Sequence, residues 1–299
     1  MKHARRIASA LLLSASSLAL GACASASRTA SPERPTAAAP PPFAVLAASD
    51  ERRAAALANW QTVLGQQAAD ASPTPELRPV TATLASLPAG LSDLPRLPLV
   101  NISDDQSHSE EETRESLRRF LATAAPLLGV NLKHLSLVEI ADAPGAGARR
   151  ALYRQTPFAY PLRNGFGEVA VTFTPDLRVR ELSSTAVPDA EALARTLAAV
   201  PKTLTAEQAA AALANRAVNY TDRSGARQTR TLTQADAPAA RELVVYPVRR
   251  DAADPSTLEL HVAWEVAAGG SQAPLLVYVD AATGDLLGAR QGEAVDSSQ

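Results

Sequence analysis

The sequence has very little cysteine and lysine, and both shortages limit what the protein can be. Only one of its 299 residues is a cysteine, Cys23, so no disulfide can form within the chain and no cluster of cysteines can hold a metal. Lysine occurs only at positions 2, 133 and 202, while arginine is frequent. The formal net charge is −2, and no basic run occurs beyond the extreme N-terminus. This charge pattern gives no sign of a nucleic-acid partner.

A catalytic motif is also missing. No HExxH sequence occurs, and the four histidines, at positions 3, 108, 134 and 261, lack the spacing of zinc ligands. His108 lies close to three glutamates at 110 to 112, a group that could be a metal site or a solvated, acidic helix start; we favour the helix start. His261 is expected on the exposed face of a strand. We therefore expect no enzyme activity, no metal and no cofactor.

No long hydrophobic run is present either. The most apolar stretch, residues 7 to 20, is broken by serines and is too short and too polar for a stable membrane span. It follows a positively charged start and precedes small residues, an order that predicts a signal peptide over residues 1 to 22. Residues 20 to 23, Leu-Gly-Ala-Cys, resemble the bacterial lipobox. That resemblance implies that Cys23 is lipidated with two acyl chains such as palmitate and becomes the N-terminus. The alternative is an ordinary secretory signal with a chance cysteine.

The residue after the cysteine bears on location. It is Ala24 rather than aspartate, and by resemblance to the sorting patterns of Gram-negative lipoproteins this favours the outer membrane. We therefore expect a lipid-anchored protein of the bacterial cell envelope that faces the periplasm. Residues 23 to 49, rich in Ala, Ser and Pro, cannot bury enough apolar surface to fold and should form a tether.

Helix signals divide the remaining chain. Asp50 can cap a short helix that opens the segment 50 to 108, which continues as a proline-punctuated extended stretch. Two capping boxes, Ser109 to Glu112 and Thr205 to Gln208, open two further helices. Each of these helices precedes segments with alternating apolar residues, and in 258 to 266 the alternation predicts one buried and one exposed face. The pattern indicates an α+β fold with two similar lobes, each a helix packed on an antiparallel sheet, over 109 to 187 and 188 to 292, before a tail at 293 to 299.

The strongest resemblance lies at the end of the second lobe. Residues 260 to 288, LHVAWEVAAGGSQAPLLVYVDAATGDLLG, resemble the end of the PepSY-type propeptide domains of thermolysin-like secreted metallopeptidases. Residues 109 to 182 resemble the preceding fungalysin/thermolysin propeptide (FTP) domain. The resemblance implies a cystatin-like or PepSY-like fold in each lobe. In the family the peptidase follows the hairpin, whereas here neither a peptidase domain nor its zinc motif follows.

The resemblance sets the functional expectation. Propeptides of this family chaperone and inhibit their peptidase, so we expect a non-enzymatic envelope lipoprotein that acts as a binding module, as a chaperone or inhibitor of a secreted metallopeptidase in trans. The alternative is a structural or ligand-binding envelope lipoprotein that reuses the fold without a peptidase. Gln155 and Tyr278 are candidate partner contacts, although each could equally stabilise its sheet. Asp280 is expected to cap the hairpin turn, Gly284 to close it with a bulge, and Trp264 to lie in the core.

Overall fold

A computed structural model describes residues 40–65, 73–91, 93–100, 109–144, 147–250, 256–269 and 274–292. All helices and strands of these described residues lie within the compact unit Pro41–Gln299. Their α-helices are α1 (Asp50–Leu64), α2 (Glu110–Leu128), α3 (Ala190–Ala198) and α4 (Ala206–Ala211). The strands are β1 (Ala44–Ala47), β2 (Glu76–Leu77), β3 (Leu84–Ser86), β4 (Leu135–Asp142), β5 (Arg149–Gln155), β6 (Glu168–Phe173), β7 (Val179–Ser184), β8 (Ala217–Thr221), β9 (Arg227–Thr231), β10 (Ala239–Val248), β11 (Thr257–Ala268), β12 (Leu275–Asp280) and β13 (Leu286–Gln291).

The first lobe packs α2 on a four-stranded antiparallel sheet of order β4-β5-β6-β7. The predicted capping box is present, because the side chains of Ser109 and Glu112 each accept a hydrogen bond from the other residue's backbone N–H. The helix ends at Gly129, whose φ of 66° lies in the left-handed region. Its apolar face is buried and consists of Leu117, Phe120, Leu121, Ala124, Leu127 and Leu128.

Helix α1 lies beside α2 and extends the same core. Trp60 is almost fully buried there, and its indole N–H donates to the Pro73 carbonyl at 3.2 Å. The cap of α1 differs from the sequence prediction, since Ser49 rather than Asp50 accepts the N–H of Arg52, at 3.2 Å. The segment after α1 is not simply extended. It forms the β2–β3 hairpin, and its later residues bond β7 through the carbonyl of Pro95.

The second lobe is built on a seven-stranded sheet. Its longest strand, β11, pairs with β10 along one side and with β12 and β1 along the other. β13 continues the sheet and joins the β8–β9 hairpin through one parallel step, Arg290 to Thr221. Helices α3 and α4 cover one face, where two apolar clusters share the partly buried Trp264. The α+β class is confirmed, while the two lobes differ in strand number and in this parallel step.

The predicted tether ends earlier than expected. Residues 44 to 47, assigned to it from composition, form β1 and pair with residues 257 to 260 of β11. Ala44 and Leu46 are buried in the same cluster as Leu258 and Leu260. Burial of these two side chains makes the strand favourable despite the prolines that precede it. Among the described residues, none of the helices is both long and apolar enough to cross a membrane.

The C-terminal hairpin follows its prediction closely. Gly284 has a φ of 78°, and its N–H donates to the Asp280 carbonyl at 2.9 Å. The register between β12 and β13 shifts at Tyr278 and Val279, which is the expected bulge. The Asp280 carboxylate accepts the N–H groups of Ala282 and Thr283 at 2.7 and 3.0 Å, so its predicted capping role is confirmed.

Candidate functional site

Gln155 ends β5 and is buried. Its amide donates to the Val187 carbonyl at 2.8 Å, and its side-chain oxygen accepts the Val187 N–H at 2.9 Å. The Gln155 side chain thus bonds both backbone groups of Val187, as a neighbouring strand would, and links β5 to the connection that leads to α3. Because both the nitrogen and the oxygen of the side-chain amide are hydrogen-bonded within the protein, Gln155 stabilises the fold and does not present a free group to a partner.

Tyr278 is only 1% exposed. Its ring stacks on Tyr246 with centroids 4.3 Å apart, and its hydroxyl donates to Glu265 at 3.2 Å and accepts from Arg290 at 3.0 Å. Burial raises the pKa of the Tyr278 hydroxyl. These contacts show that Tyr278 stabilises its sheet, which was the alternative to a partner contact.

The expectation that His261 lies at the surface is wrong. The imidazole is 3% exposed, with Nδ1 2.6 Å from Asp280 Oδ2 and Nε2 3.2 Å from Glu259 Oε2. The ring of Phe43 lies over it, with centroids 4.6 Å apart. Glu265, expected on the same exposed face, is also buried and accepts a hydrogen bond from Arg163 at 3.1 Å. Side chains from distant parts of the chain therefore cover a face that strand alternation alone marks as polar.

A groove between α2 and β4 is a candidate site for a ligand. Its volume is about 420 Å³, within the usual size range of ligand sites. Apolar and aromatic side chains form its floor, and cationic side chains form its rim. The floor consists of Leu121, Leu132, Leu135, Leu137 and Tyr153, and the rim of Arg114, Arg118 and Lys133.

The groove lies beside an edge strand. Within the described part of the chain, β4 pairs only with β5, so its other side is the edge of the four-stranded sheet. On the opposite edge, the carbonyl of Pro95 accepts the N–H of Val179 in β7 at 2.7 Å. The register of β4 shifts between Leu137 and Glu139, and the Val138 side chain at this bulge is 47% exposed. An edge strand with available backbone groups can pair with another chain.

The hydrogen-bond pattern shows which backbone groups face that edge. Thr156 N–H donates to the His134 carbonyl at 2.9 Å, and Ala143 N–H donates to the Ala148 carbonyl at 2.8 Å. Hydrogen-bonded pairs alternate along an antiparallel ladder. One of these bonds lies on each side of the bulge, and together they fix which residues of β4 bond β5. Leu137 and Ile140 are not among them, so their N–H and C=O groups point away from β5. Both side chains are partly buried against the α2 core.

The charged groups at the groove form exposed ion pairs, and the phenol of Tyr153 is buried in its floor. Hydrogen bonds from Arg118 and Arg119 lower the pKa of Glu115 to about 2. Arg114 pairs with Glu110 at 2.6 Å. Burial raises the pKa of Tyr153 to about 12, and the charge of Arg114 partly offsets this rise. The floor is therefore uncharged near neutral pH, while the rim stays cationic.

A second cavity, of about 540 Å³, lies between the end of α2 and the start of α3. Two side-chain contacts border it: His134 Nε2 lies 2.8 Å from Glu191 Oε1, and Arg52 donates to Asp189 at 2.8 Å. Gln155 is also in its wall. Both contacts tie α3 to earlier elements of the chain, while the buried Arg52 Nε has no hydrogen-bond partner among the described residues.

Two sequence candidates fall outside the described residues, namely Cys23 and His108. Across the described ranges, no group of three or more His, Cys, Asp or Glu side chains is placed to hold a metal ion. The groove residues were not singled out from the sequence. Their signal was present in the apolar face of α2 and in the alternation of Leu135, Leu137 and Ile140, but neither pattern shows that β4 is an edge strand.

Comparison with known proteins gives little. No family model matches the chain, and no curated protein matches it. Among solved structures, the Bacillus megaterium YpeB C-terminal domain is similar with a TM-score of 0.30 and 11% sequence identity, covering 82% of this chain and 98% of that chain. A likeness at this level defines neither a shared fold nor a shared function.

Proposed function

We propose that the chain is a non-enzymatic, lipid-anchored envelope protein whose body binds an extended segment of another polypeptide. The observation that carries this proposal is the edge of β4 beside the α2 groove. Leu137 and Ile140 direct backbone donors and acceptors to the edge, and the groove floor next to them is apolar. In strand addition the main chain supplies affinity and side-chain pockets supply specificity, and both components are available here.

The partner class comes from the sequence resemblance. A propeptide-like body fits a secreted metallopeptidase, which it would chaperone or inhibit in trans. A propeptide in the same chain as its peptidase acts at high effective concentration, and a separate chain loses that advantage. Anchoring through Cys23, facing the periplasm at the outer membrane, would restore part of it by confining the protein to the surface that exported peptidases cross.

The test is a titration of the full chain, extracted in mild detergent, into metallopeptidases secreted through the same envelope. Peptidase activity and refolding yield are measured with the wild type, Leu137→Pro and Leu137→Ala. Proline removes the outward N–H of an edge strand without breaking the ladder to β5, whereas alanine keeps it. Retained far-ultraviolet circular dichroism and melting would show that the variants fold.

We expect at least one peptidase to change in activity or refolding yield. The effect should be lost in Leu137→Pro and largely kept in Leu137→Ala. Equal effects of the proline variant and the wild type would contradict strand addition at β4. No change with any peptidase would overturn the peptidase partner and favour the alternative, a structural or ligand-binding lipoprotein.

The absence of catalysis is part of the same proposal. Its support is that His261, which has two carboxylate neighbours, is buried beneath Phe43, where no substrate can reach it. The purified chain should hydrolyse neither peptides nor esters. Turnover that copurifies with the chain and disappears in an Asp280→Asn variant would contradict this view.

A further inference from the structure

We infer that the segment bound at β4 is acidic on the side that faces α2. This inference rests on the proposed function, because it specifies the chemistry of the strand that would pair with β4. It concerns one occupant, an extended polypeptide with alternate apolar and acidic residues on its helix-facing side.

Strand geometry determines where the side chains of an added strand would lie. Leu135 and Leu137 point from β4 toward α2, and both line the groove. Alternate side chains of a neighbouring strand must point the same way, so every second residue of the added segment would enter the space beneath α2. The floor there is formed by Leu121 and Tyr153, which favours an apolar side chain at that position.

Charge determines what should flank that apolar side chain. Every charged side chain that lines the groove, within the described residues, is cationic: Arg114, Arg118 and Lys133. The two arginines lie one helical turn apart on α2, and Lys133 precedes β4. Carboxylates two residues to either side of an apolar anchor would lie on the same face of the added strand and close to this cationic rim.

Existing ion pairs do not prevent this recognition. Arg118 is bound to Glu115 at 2.7 Å and Arg114 to Glu110 at 2.6 Å, and all four side chains are at least partly exposed. Exposed pairs of this type contribute little to stability, so an incoming carboxylate can share or replace them. Glu115 also binds Arg119 at 2.7 Å, and Arg119 does not line the groove.

Arg119 therefore provides a matched control for Arg118. The probe is a peptide of sequence Leu-Thr-Glu-Thr-Leu-Thr-Glu-Thr with a fluorescent dye on its N-terminus, compared with the same labelled peptide carrying lysine in place of glutamate. Binding to the full chain in detergent is followed by fluorescence anisotropy at low and high salt, for the wild type, Arg118→Glu, Arg119→Glu and Leu137→Pro.

The acidic peptide should bind more tightly than the basic one, and the difference should shrink at high salt. Arg118→Glu should weaken binding of the acidic peptide about tenfold or more, since an attraction between opposite charges is replaced by a repulsion between like charges. Arg119→Glu should change binding much less. Leu137→Pro should abolish binding of both peptides.

The outcomes separate this inference from the proposed function. Equal binding of both peptides, lost in Leu137→Pro but unchanged in Arg118→Glu, would overturn the acidic preference and leave strand addition standing. Binding that persists in Leu137→Pro would overturn strand addition itself. Displacement of the acidic peptide by a long-chain fatty acid, with no protection of the β4 backbone by the peptide, would show that the groove holds a lipid carboxylate instead.

Discussion

Asp280 connects two parts of the second lobe through one carboxylate. Oδ2 is bound to His261, and Oδ1 accepts the N–H groups of Ala282 and Thr283 in the hairpin turn. Burial opposes ionisation of this carboxyl group. The hydrogen bonds from His261 and from the two backbone groups outweigh that effect, so the pKa of Asp280 lies below its ordinary value.

The lowered pKa of Asp280 gives a pH-dependent prediction. Its contribution to stability is complete above the unfolded pKa, near 4, and is lost as the pH falls through the lower folded value. Asp280→Asn should lower the free energy of unfolding by about 2 kcal/mol at pH 7, because a charged hydrogen bond in a buried site is lost. Denaturant unfolding at pH 7 and at several values below 4 should show the difference shrinking with acid.

Asp285 is the control for that experiment. It is exposed at the same turn and accepts a hydrogen bond from the Thr283 hydroxyl at 2.8 Å. Asp285→Asn should therefore change stability much less than Asp280→Asn. A difference between the wild type and Asp280→Asn that stays constant from pH 7 down to pH 2 would contradict the assigned role of Asp280.

Gly284 is a second residue whose substitution has a defined expected effect. Its φ of 78° is strained for any β-branched side chain, while a Cβ at this position would meet only the end of Leu204 at ordinary contact distance. Gly284→Val should cost roughly 1–2 kcal/mol, from backbone strain rather than from a clash. Gly284→Asn should cost less, since asparagine tolerates this region. Equal melting temperatures for the wild type and Gly284→Val would refute the assignment.

Individual residues differ in how far the sequence could predict them. Gly284 and Asp280 were predictable because turn chemistry is local. His261 was not, since alternation in β11 distinguishes two faces but does not show which is covered. The residues that cover this face of β11 are distant in sequence. Phe43 packs on His261, and Arg163 binds Glu265 on the same face. Tyr278 belongs to the same buried network.

At the scale of elements, the capping box of α2 sets the position of the groove rim. Ser109 fixes the first turn, and Arg114 and Arg118 follow on the next turns. Ser109→Ala should lower the free energy of unfolding by about 1 kcal/mol, because the Glu112 N–H loses its acceptor. Ser109→Asp retains an acceptor and should retain most of the stability. Thermal melts of both variants test this, and an unaffected Ser109→Ala protein would contradict the cap's contribution.

The elements themselves were partly predictable. Local sequence patterns predict three of them: helix α2, the β6–β7 hairpin and the β11–β13 meander. A capping box marks the start of α2, and alternation of apolar residues over several positions marks the strands. β9 was missed since all five of its side chains are exposed and show no alternation. β1 was missed because it is short and follows prolines, and it depends on β11 for its partner. The groove was missed for a similar reason, since strand order in a sheet is a long-range property.

At the scale of the whole molecule, the anchor remains a prediction from the sequence. Cys23→Ser should move the protein from the membrane fraction to the soluble fraction, because two or more acyl chains would supply the attachment. Ser25→Ala, which leaves the cysteine intact, should remain with the membranes. Fractionation with mass analysis of the N-terminus checks this. A Cys23→Ser protein that still sediments, together with a wild type that carries no lipid mass, would refute lipidation.

The central claim is that the body binds an extended chain at the edge of β4, and amide hydrogen exchange of that strand tests it most directly. In the free protein, the Leu137 and Ile140 amides face the edge and should exchange faster than the Ser136 amide, which is directed at β5. Addition of the acidic peptide should slow exchange at Leu137 and Ile140 and leave Ser136 nearly unchanged. Protection confined to other parts of the molecule, with Leu137 and Ile140 unaffected by a bound peptide, would contradict the account.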